Sequence, residues 1–395
     1  MTDRAVLRQQ VGHTLLSFAE AIEKEETGPK IRVGLTTHGS EIDLKQLVEG
    51  AESAQRRNPH IQVILIGSPT DTFLETAEAA TESDARRIME QLLDEGNLHA
   101  CATMHYPFPV GVATVGRIPT PGTGRPLLLA STTGTSDTHR VAAMVKNALY
   151  GIIAAKASGN LSPTLGILNL DGSHQAERAL RSLQENGYPV HFAESIRSDG
   201  GVLMRGNDLL TGSADIMVAD SLTGNLLMKL FSAYTTGGGI ESQGDGYGAG
   251  IGESQGRLIL ILSRASGSAV VTNALVYAAE LAKGNLIQVM HQELERARKA
   301  GLDELIAEIR QSSEKQTVVG NLPVKPPKEV VTAALSGIDV MDLDHAAAVL
   351  WQEGIYAETG MGCTGPVIMV NPEKSKTAVT ILGKKGYSVA ADDMC

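Results

Sequence analysis

The sequence predicts an α/β protein with a mostly parallel sheet covered by helices on both faces. Three observations carry that expectation. The 395 residues are 42% hydrophobic and 20% charged, enough to bury a large core. Short β-rich runs recur along the chain, and each ends in small or polar residues. Each then leads into a helix-spaced pattern, and strand, polar turn and helix in that succession indicate a parallel sheet.

Taken in order, "MTDRAVLRQQVGHTLLSFAEAIEKEE" spaces Leu7, Val11, Leu15, Phe18, Ala19 and Ile22 as one face of a helix, so residues 1–30 are expected to be an amphipathic helix. Charges run through it and leave no apolar core of signal-peptide type. No stretch reaches the uninterrupted apolar length of a membrane span, which predicts a soluble, cytoplasmic protein with no membrane partner. "IRVGLTT" (31–37) and "IQVILIGSP" (61–69) are the first strands, with a polar helical stretch between them. "RPLLLAS" (125–131), "PTLGILNL" (163–170) and "ADIMVAD" (214–220) repeat the form. Residues 237–256 contain nine glycines in twenty and read as a mobile loop. "VMHQELERARKAGLDELIAEIRQSSEK" reads as two amphipathic helices, and "PVKPPK" from Pro323 as a stiff connector. Beyond it, "LDHAAAVLWQEG" is helical, "GPVIMV" (365–370) a strand and "KTAVTILGKKG" a closing helix. The expected division is therefore 1–30, a core over 31–322, and a section over 323–395 that completes the same fold.

The formal net charge is −11, with acidic residues spread along the chain; no basic face exists for nucleic acid. The three cysteines, Cys101, Cys363 and Cys395, are far apart and form no CxxC pair, which argues against a disulfide framework or a zinc knuckle. Cys101 lies beside His99 and near His105, but suitably spaced third and fourth metal ligands are lacking, so a buried or secondary thiol is expected there and no metal.

In parallel sheets ligands gather beyond the carboxyl ends of strands, so the turns there are the places to search. "ASTTGTSDTHR" (130–140) sets Thr132, Thr133, Gly134, Thr135 and Ser136 before a helical run, with Arg140 following. Hydroxyls and free helix-start amides suit an anion such as phosphate; N-capping by Ser136 or Asp137 is the plainer alternative. "ADSLTGNLLMKL" (219–230) repeats the arrangement with Asp220, Thr223, Gly224 and Asn225, where Asn225 either orients a ligand or merely opens a helix. At a third strand end, Asp171, Ser173 and His174 sit together, and His174 is either an acid/base group or a surface-turn histidine. "GMGCTGPVIMV" (360–370) holds Cys363 among glycines. A thiolate needs dipoles or positive charge, and the amides around Gly362 and Thr364 can supply dipoles and later an oxyanion site. A packing cysteine in a tight turn is the other reading. GxxxxGK[ST] and HExxH are absent from the sequence. The strings "GMGCTG" (360–365) and "GESQG" (252–256) match GxGxxG and GxSxG, but the first runs into a strand and the second lies in the glycine-rich stretch. Neither has the strand-to-helix setting of a dinucleotide fingerprint or a nucleophile elbow, which weakens dehydrogenase, nucleoside triphosphatase and zinc-hydrolase readings.

"ADSLTGNLLMKLFSAYTTGGG", "RASGSAVVTNALVYAAELAKGN" and above all "YAETGMGCTGPVIMV" resemble the alpha subunit of component C of glycine/sarcosine/betaine reductase, along nearly the whole chain. More distantly, "SADIMVADSLTGNLLMK" and the last strand–helix unit resemble the phosphate acyltransferase of phospholipid synthesis. That second resemblance implies a three-layer α/β/α fold of the isocitrate/isopropylmalate-dehydrogenase type, a homodimer, and an acyl group moving between a thioester and inorganic phosphate. The first implies that Cys363 carries acetyl derived from the carboxymethyl-selenocysteine of selenoprotein A, and that phosphorolysis releases acetyl phosphate. It also implies a ketoacyl-synthase-like beta subunit as partner, phosphate as substrate and no bound cofactor. Phosphate would then sit at 132–136 with Thr223, Gly224 and Asn225. Two rivals remain: direct transfer from acyl-CoA or an acyl carrier protein with Cys363 incidental, and a non-catalytic scaffold.

Overall fold

The computed structural model describes residues 30–198, 200–317, 323–339, 342–362, 365–387 and 389–392. The expected helix over 1–30 therefore lies, but for its last residue, outside the described residues, as do Cys363, Thr364 and Cys395. The chain opens with β1 (Ile31–Thr36), α1 (Leu44–Arg57), β2 (Ile61–Gly67), β3 (Glu75–Glu78), α2 (Glu82–Asp94) and β4 (Ala100–Thr103). Then come β5 (Val112–Pro119), β6 (Pro126–Thr135), α3 (Arg140–Ala157), β7 (Thr164–Leu168), α4 (Ser173–Glu185), β8 (His191–Phe192) and β9 (Leu203–Met204). The middle holds α5 (Gly206–Thr211), β10 (Ile216–Val218), α6 (Ser221–Ala233), β11 (Gly248–Ile251), β12 (Ile259–Ile261), α7 (Ser268–Lys283), α8 (Leu286–Lys299) and α9 (Leu302–Thr317). The chain closes with β13 (Ala333–Ser336), α10 (Leu343–Gln352), β14 (Ala357–Gly362), β15 (Gly365–Val370), α11 (Ser375–Lys384) and β16 (Ala390–Asp392).

These elements form two units. The first gathers the described part of Met1–Ser136 with Asn147–Pro163 and Leu209–Leu294. Its strands run in the order β3-β2-β1-β4-β12-β11-β5-β6-β10. β1 pairs in parallel with β2 and β4, and β4 with β12; β2–β3 and β6–β10 are parallel as well. Val33 and Leu35 of β1 and Ile61, Val63 and Ile66 of β2 have no exposed surface. Near-continuous burial of this kind is what helices on both faces of a parallel sheet produce. The predicted mostly parallel α/β sheet is present.

The departure lies in the middle of the sheet. β5 and β11 run antiparallel to their neighbours, and β11 comes from the stretch expected to be a mobile loop. That expectation is corrected: Gly248 to Ile251 are buried strand residues between β5 and β12. Gly248 and Gly250 serve close approach rather than mobility. A Cβ on Gly248 would stand 1.7 Å from the carbonyl oxygen of Val115, and one on Gly250 would meet the Phe108 ring at 2.4 Å.

The second unit gathers Asp137–Lys146, Thr164–Asp208 and the described part of Glu295–Cys395. β7 pairs in parallel with β8 and β9. The last section forms a separate antiparallel sheet in the order β14-β15-β13-β16. Strand "GPVIMV" and both flanking helices fall where the sequence places them, but the strand joins an antiparallel sheet, and the unit boundaries do not follow the expected division at 322/323. Leu335, Ile338, Leu350, Ile368, Val370 and Leu382 form the core beneath that sheet. Among the described residues, no helix is long and apolar enough to cross a membrane.

Candidate active site

In the first unit the carboxyl end of β6 meets the start of α6. The hydroxyl-rich 131–136 segment, expected to be a turn, is largely strand: β6 continues to Thr135 because Gly134 and Thr135 pair with Ala113 and Val112 of β5. Gly134 has φ +78°, and a Cβ there would lie 2.5 Å from the Val112 carbonyl oxygen. Thr132 is fully buried; its Oγ1 donates to the Tyr247 carbonyl at 2.5 Å and lies 2.6 Å from Thr114 Oγ1. Ser136 Oγ donates to Asn147 Oδ1 at 2.7 Å.

α6 closes on this strand end. Asp220 caps it, accepting the Thr223 amide at 2.9 Å and the Thr223 hydroxyl at 3.1 Å. Asn225 Nδ2 donates to the Thr132 carbonyl at 3.0 Å. At Gly224 the backbones approach so closely that a Cβ would stand 1.7 Å from the Ser131 carbonyl oxygen. The sequence-predicted residues of 132–136 and 223–225 thus come together, but the Thr132, Ser136, Thr223 and Asn225 side chains hold the strand end in shape. The hydroxyls of Thr133, half-buried, and Thr135, exposed, remain at its rim.

Asp137, a predicted cap, accepts the His139 amide at 3.0 Å and is bridged by Lys146 at 2.7 Å and Arg310 at 2.6 Å. Burial alone would raise its pKa, but these donors hold the carboxyl below the usual range. Sequence reasoning missed a buried network behind the β6–α6 end. Glu241, 1% exposed, accepts from Lys229 at 2.9 Å, Ser266 at 3.2 Å and Tyr247 at 3.3 Å. Burial and the adjoining Glu241 charge push the Tyr247 phenol well up.

The second unit contains a cavity of about 520 Å³ at the carboxyl end of β7 and the start of α4. His174, Glu177, Arg181, Arg197, Arg205 and Pro366 are among its lining residues. Pro366 lies three residues after Cys363 in the chain, and β14 and β15 are paired from Ala357↔Val370 to Gly362↔Gly365. Gly172, with φ +88°, opens α4 without a side-chain cap, and its amide donates to Asp339 Oδ2 at 2.6 Å. Burial lowers the pKa of His174; Glu177, Asp339 and Asp342 oppose the shift, and Arg178 adds to it. The ring is therefore neutral at pH 7 and able to accept a proton. His174 is expected to titrate below the ordinary histidine value of about 6.5. The unfolded chain then binds the extra proton first, so the stability His174 contributes is full above about pH 6.5 and is lost as pH falls towards its folded pKa. An NMR titration of the histidine ring protons, with His174→Asn to assign the resonance, checks both sign and window.

Cys101, in β4, is fully buried, and burial pushes its thiol pKa far up, leaving it inert at neutral pH. No group of three or more His, Cys, Asp or Glu among the described residues is arranged to hold a metal ion. Arg181, Arg197 and Arg205 escaped the sequence reading because no motif joins them; the one available signal was their recurrence in a short stretch of an acidic chain.

The family model described as "Fatty acid synthesis protein" matches residues 31–369. The glycine/sarcosine/betaine reductase complex component C subunit alpha of Peptoclostridium acidaminophilum is 53% identical over 380 residues, covering 96% of this chain and 98% of its own. A phosphate acyltransferase of Thermus thermophilus is 26% identical over 238 residues, covering 51% of this chain and 70% of its own. Among solved structures, a branched-chain phosphotransacylase from Enterococcus faecalis V583 matches with a TM-score of 0.45 at 16% identity, over 64% of this chain and 99% of its own.

Proposed function

This chain belongs to the fatty acid synthesis protein family and to the family of component C alpha subunits of glycine/sarcosine/betaine reductase, and from that membership we propose that it is the acyl-transfer subunit of such a complex. Acetyl is carried as a thioester on Cys363 and leaves to inorganic phosphate as acetyl phosphate. One observation carries the reading: the chain matches a reductase component along 96% of its length and a phosphate acyltransferase along half of it.

In the transfer a phosphate oxygen attacks the thioester carbonyl and a C–O bond forms. The carbonyl oxygen becomes an oxyanion, received by amides such as those of Gly362 and Thr364; one well-placed donor contributes about 3 kcal/mol. Collapse breaks the C–S bond and expels the thiolate, which regains the proton given up by phosphate. His174, neutral at pH 7, is the candidate carrier of that proton. The sequence indicates the β6–α6 end, with Thr132–Ser136 and Thr223–Asn225, as the place for phosphate. The donor is selenoprotein A, and the partner a beta subunit of ketoacyl-synthase type. A homodimer, a cytoplasmic location and the isocitrate/isopropylmalate-dehydrogenase form of the three-layer fold belong to the same reading.

Incubating the purified chain with acetyl phosphate, with and without the beta subunit, followed by peptide mass spectrometry, tests the thioester. Acetyl is expected on the Cys363 peptide, removable by hydroxylamine, with the Cys101 peptide unlabelled. Turnover of acetyl phosphate with no labelled cysteine would replace this reading by direct transfer.

A further inference from the structure

The first unit holds a cavity of about 290 Å³ where β1 and β4 end. These are adjoining parallel strands, and ligands of such sheets gather beyond their carboxyl ends. Thr36 and Thr103, the last residues of the two strands, are both buried and line it. His38 joins them from the turn after β1, and Glu82, Ser83 and Arg86 from the start of α2. None of these residues belongs to the β6–α6 end or to the Cys363 segment.

The hydrogen bonds of this cavity leave acceptors over. Thr36 Oγ1 donates to Thr103 Oγ1 at 2.7 Å, and Thr103 Oγ1 donates to the His105 carbonyl at 3.3 Å, so Thr36 Oγ1 keeps its lone pairs. His38 Nε2 lies 2.9 Å from the Ala79 carbonyl oxygen, which can only accept. The neutral ring therefore carries its proton on Nε2 and presents Nδ1 as an acceptor. Glu82 and Arg86 have the i,i+4 spacing of a helix ion pair. Yet neither side chain has an ion-pair or hydrogen-bond partner among the described residues. Glu82 leans towards the turn after β1, where a Cβ on Gly39 would stand 3.8 Å from its Oε2. Thr81 caps α2 by accepting the Asp84 amide at 3.1 Å, which leaves the Glu82 and Ser83 amides at the positive end of the helix.

A simple anion would meet the Glu82 carboxylate here, and a simple cation would meet the Arg86 guanidinium and the start of α2. A zwitterion suits both. We propose that this cavity binds a small free amino acid: its ammonium donates to Glu82, His38 Nδ1 and Thr36 Oγ1, and its carboxylate is taken by Arg86 and the first amides of α2. An ammonium has three N–H donors, and three acceptors are offered. The planar guanidinium fork matches a carboxylate. Ala85 is the one apolar residue lining the cavity among the described residues, so a large apolar side chain finds no wall, and glycine fits best. The assignment does not depend on the acyl-transfer reading above.

Titration calorimetry of the full chain with glycine tests it. Glycine is expected to bind, N-methylglycine more weakly, and N,N,N-trimethylglycine, which has no N–H to donate, not at all. Acetate and glycinamide, each keeping only one of the two charges, should also fail to bind. Glu82→Gln and Arg86→Gln are each expected to weaken glycine about tenfold or more. Arg87→Gln, on the same helix but outside the cavity, should keep the wild-type affinity. Glu82 and Arg86 are exposed, so their substitution leaves the fold intact, which circular dichroism verifies. No binding of glycine to the wild-type chain overturns the assignment. So does binding of acetate or trimethylglycine as tight as that of glycine, or wild-type affinity in both the Glu82 and Arg86 variants.

Discussion

Gly224→Ala is expected to destabilise the protein by about 3–5 kcal/mol, a large part of a typical native stability of about 5–15 kcal/mol. The added Cβ would stand 1.7 Å from the Ser131 carbonyl oxygen and 2.9 Å from its carbon, which are backbone atoms of β6. No side-chain rotation relieves such an overlap, so α6 or β6 must move. Movement there breaks the Asn225-to-Thr132 bond that joins helix and strand. Gly248→Ala should cost as much, because its Cβ meets the Val115 carbonyl oxygen at 1.7 Å and its φ is +83°. Gly383→Ala, in α11 with nothing within 4 Å, should instead stabilise by about 0.5–1 kcal/mol through helix propensity. Urea midpoints followed by circular dichroism measure all three. A Gly224→Ala midpoint equal to the wild type would mean that the helix does not sit against this strand end.

These two glycines also mark where the sequence was legible and where it was not. β1, β2, β7 and β10 announce themselves by apolar, β-branched runs bounded by polar residues, so the parallel α/β class follows from the chain alone, whereas β15 gives the same signal and joins an antiparallel sheet. β11 has no such signal. "GAGI" becomes a strand because three glycines around it let β5 and its own neighbours approach, a tertiary cause invisible to local propensity. β4, "ACAT", is short, fully buried and made of small residues, so it too lacks the long apolar run that marks a strand in sequence. At the β6–α6 end the sequence named the right residues for a shared location. It did not distinguish hydroxyls committed to backbone from those left over, since that depends on Thr114, Tyr247 and Asn147, which are distant in sequence. The cavity lined by Arg181, Arg197 and Arg205 was illegible because its arginines come from a helix and from separate positions of the segment after it, with no motif joining them.

Cys363→Ala is expected to lower phosphorolysis of the acetyl thioester by about a thousandfold or more, roughly 4 kcal/mol of transition-state stabilisation, with Cys101→Ala close to wild type. Cys101 has no exposed surface, and burial keeps it protonated, so it contributes neither nucleophile nor leaving group at neutral pH. Cys363 is flanked by glycines in the sequence "GMGCTGP", and the proposed thioester role needs that room for a donor and then for phosphate. Covalent catalysis makes a further demand that direct transfer does not: the same sulfur must attack once and depart once. Cys363→Ser should therefore accept acetyl slowly and release it more slowly still, because an alkoxide is a far poorer leaving group than a thiolate. Burst kinetics with the serine variant, measured in the assembled complex, separate the two steps. A small acetyl burst followed by near arrest supports the thioester route, whereas steady turnover at the wild-type rate in both variants means that phosphate attacks the donor directly and Cys363 carries nothing.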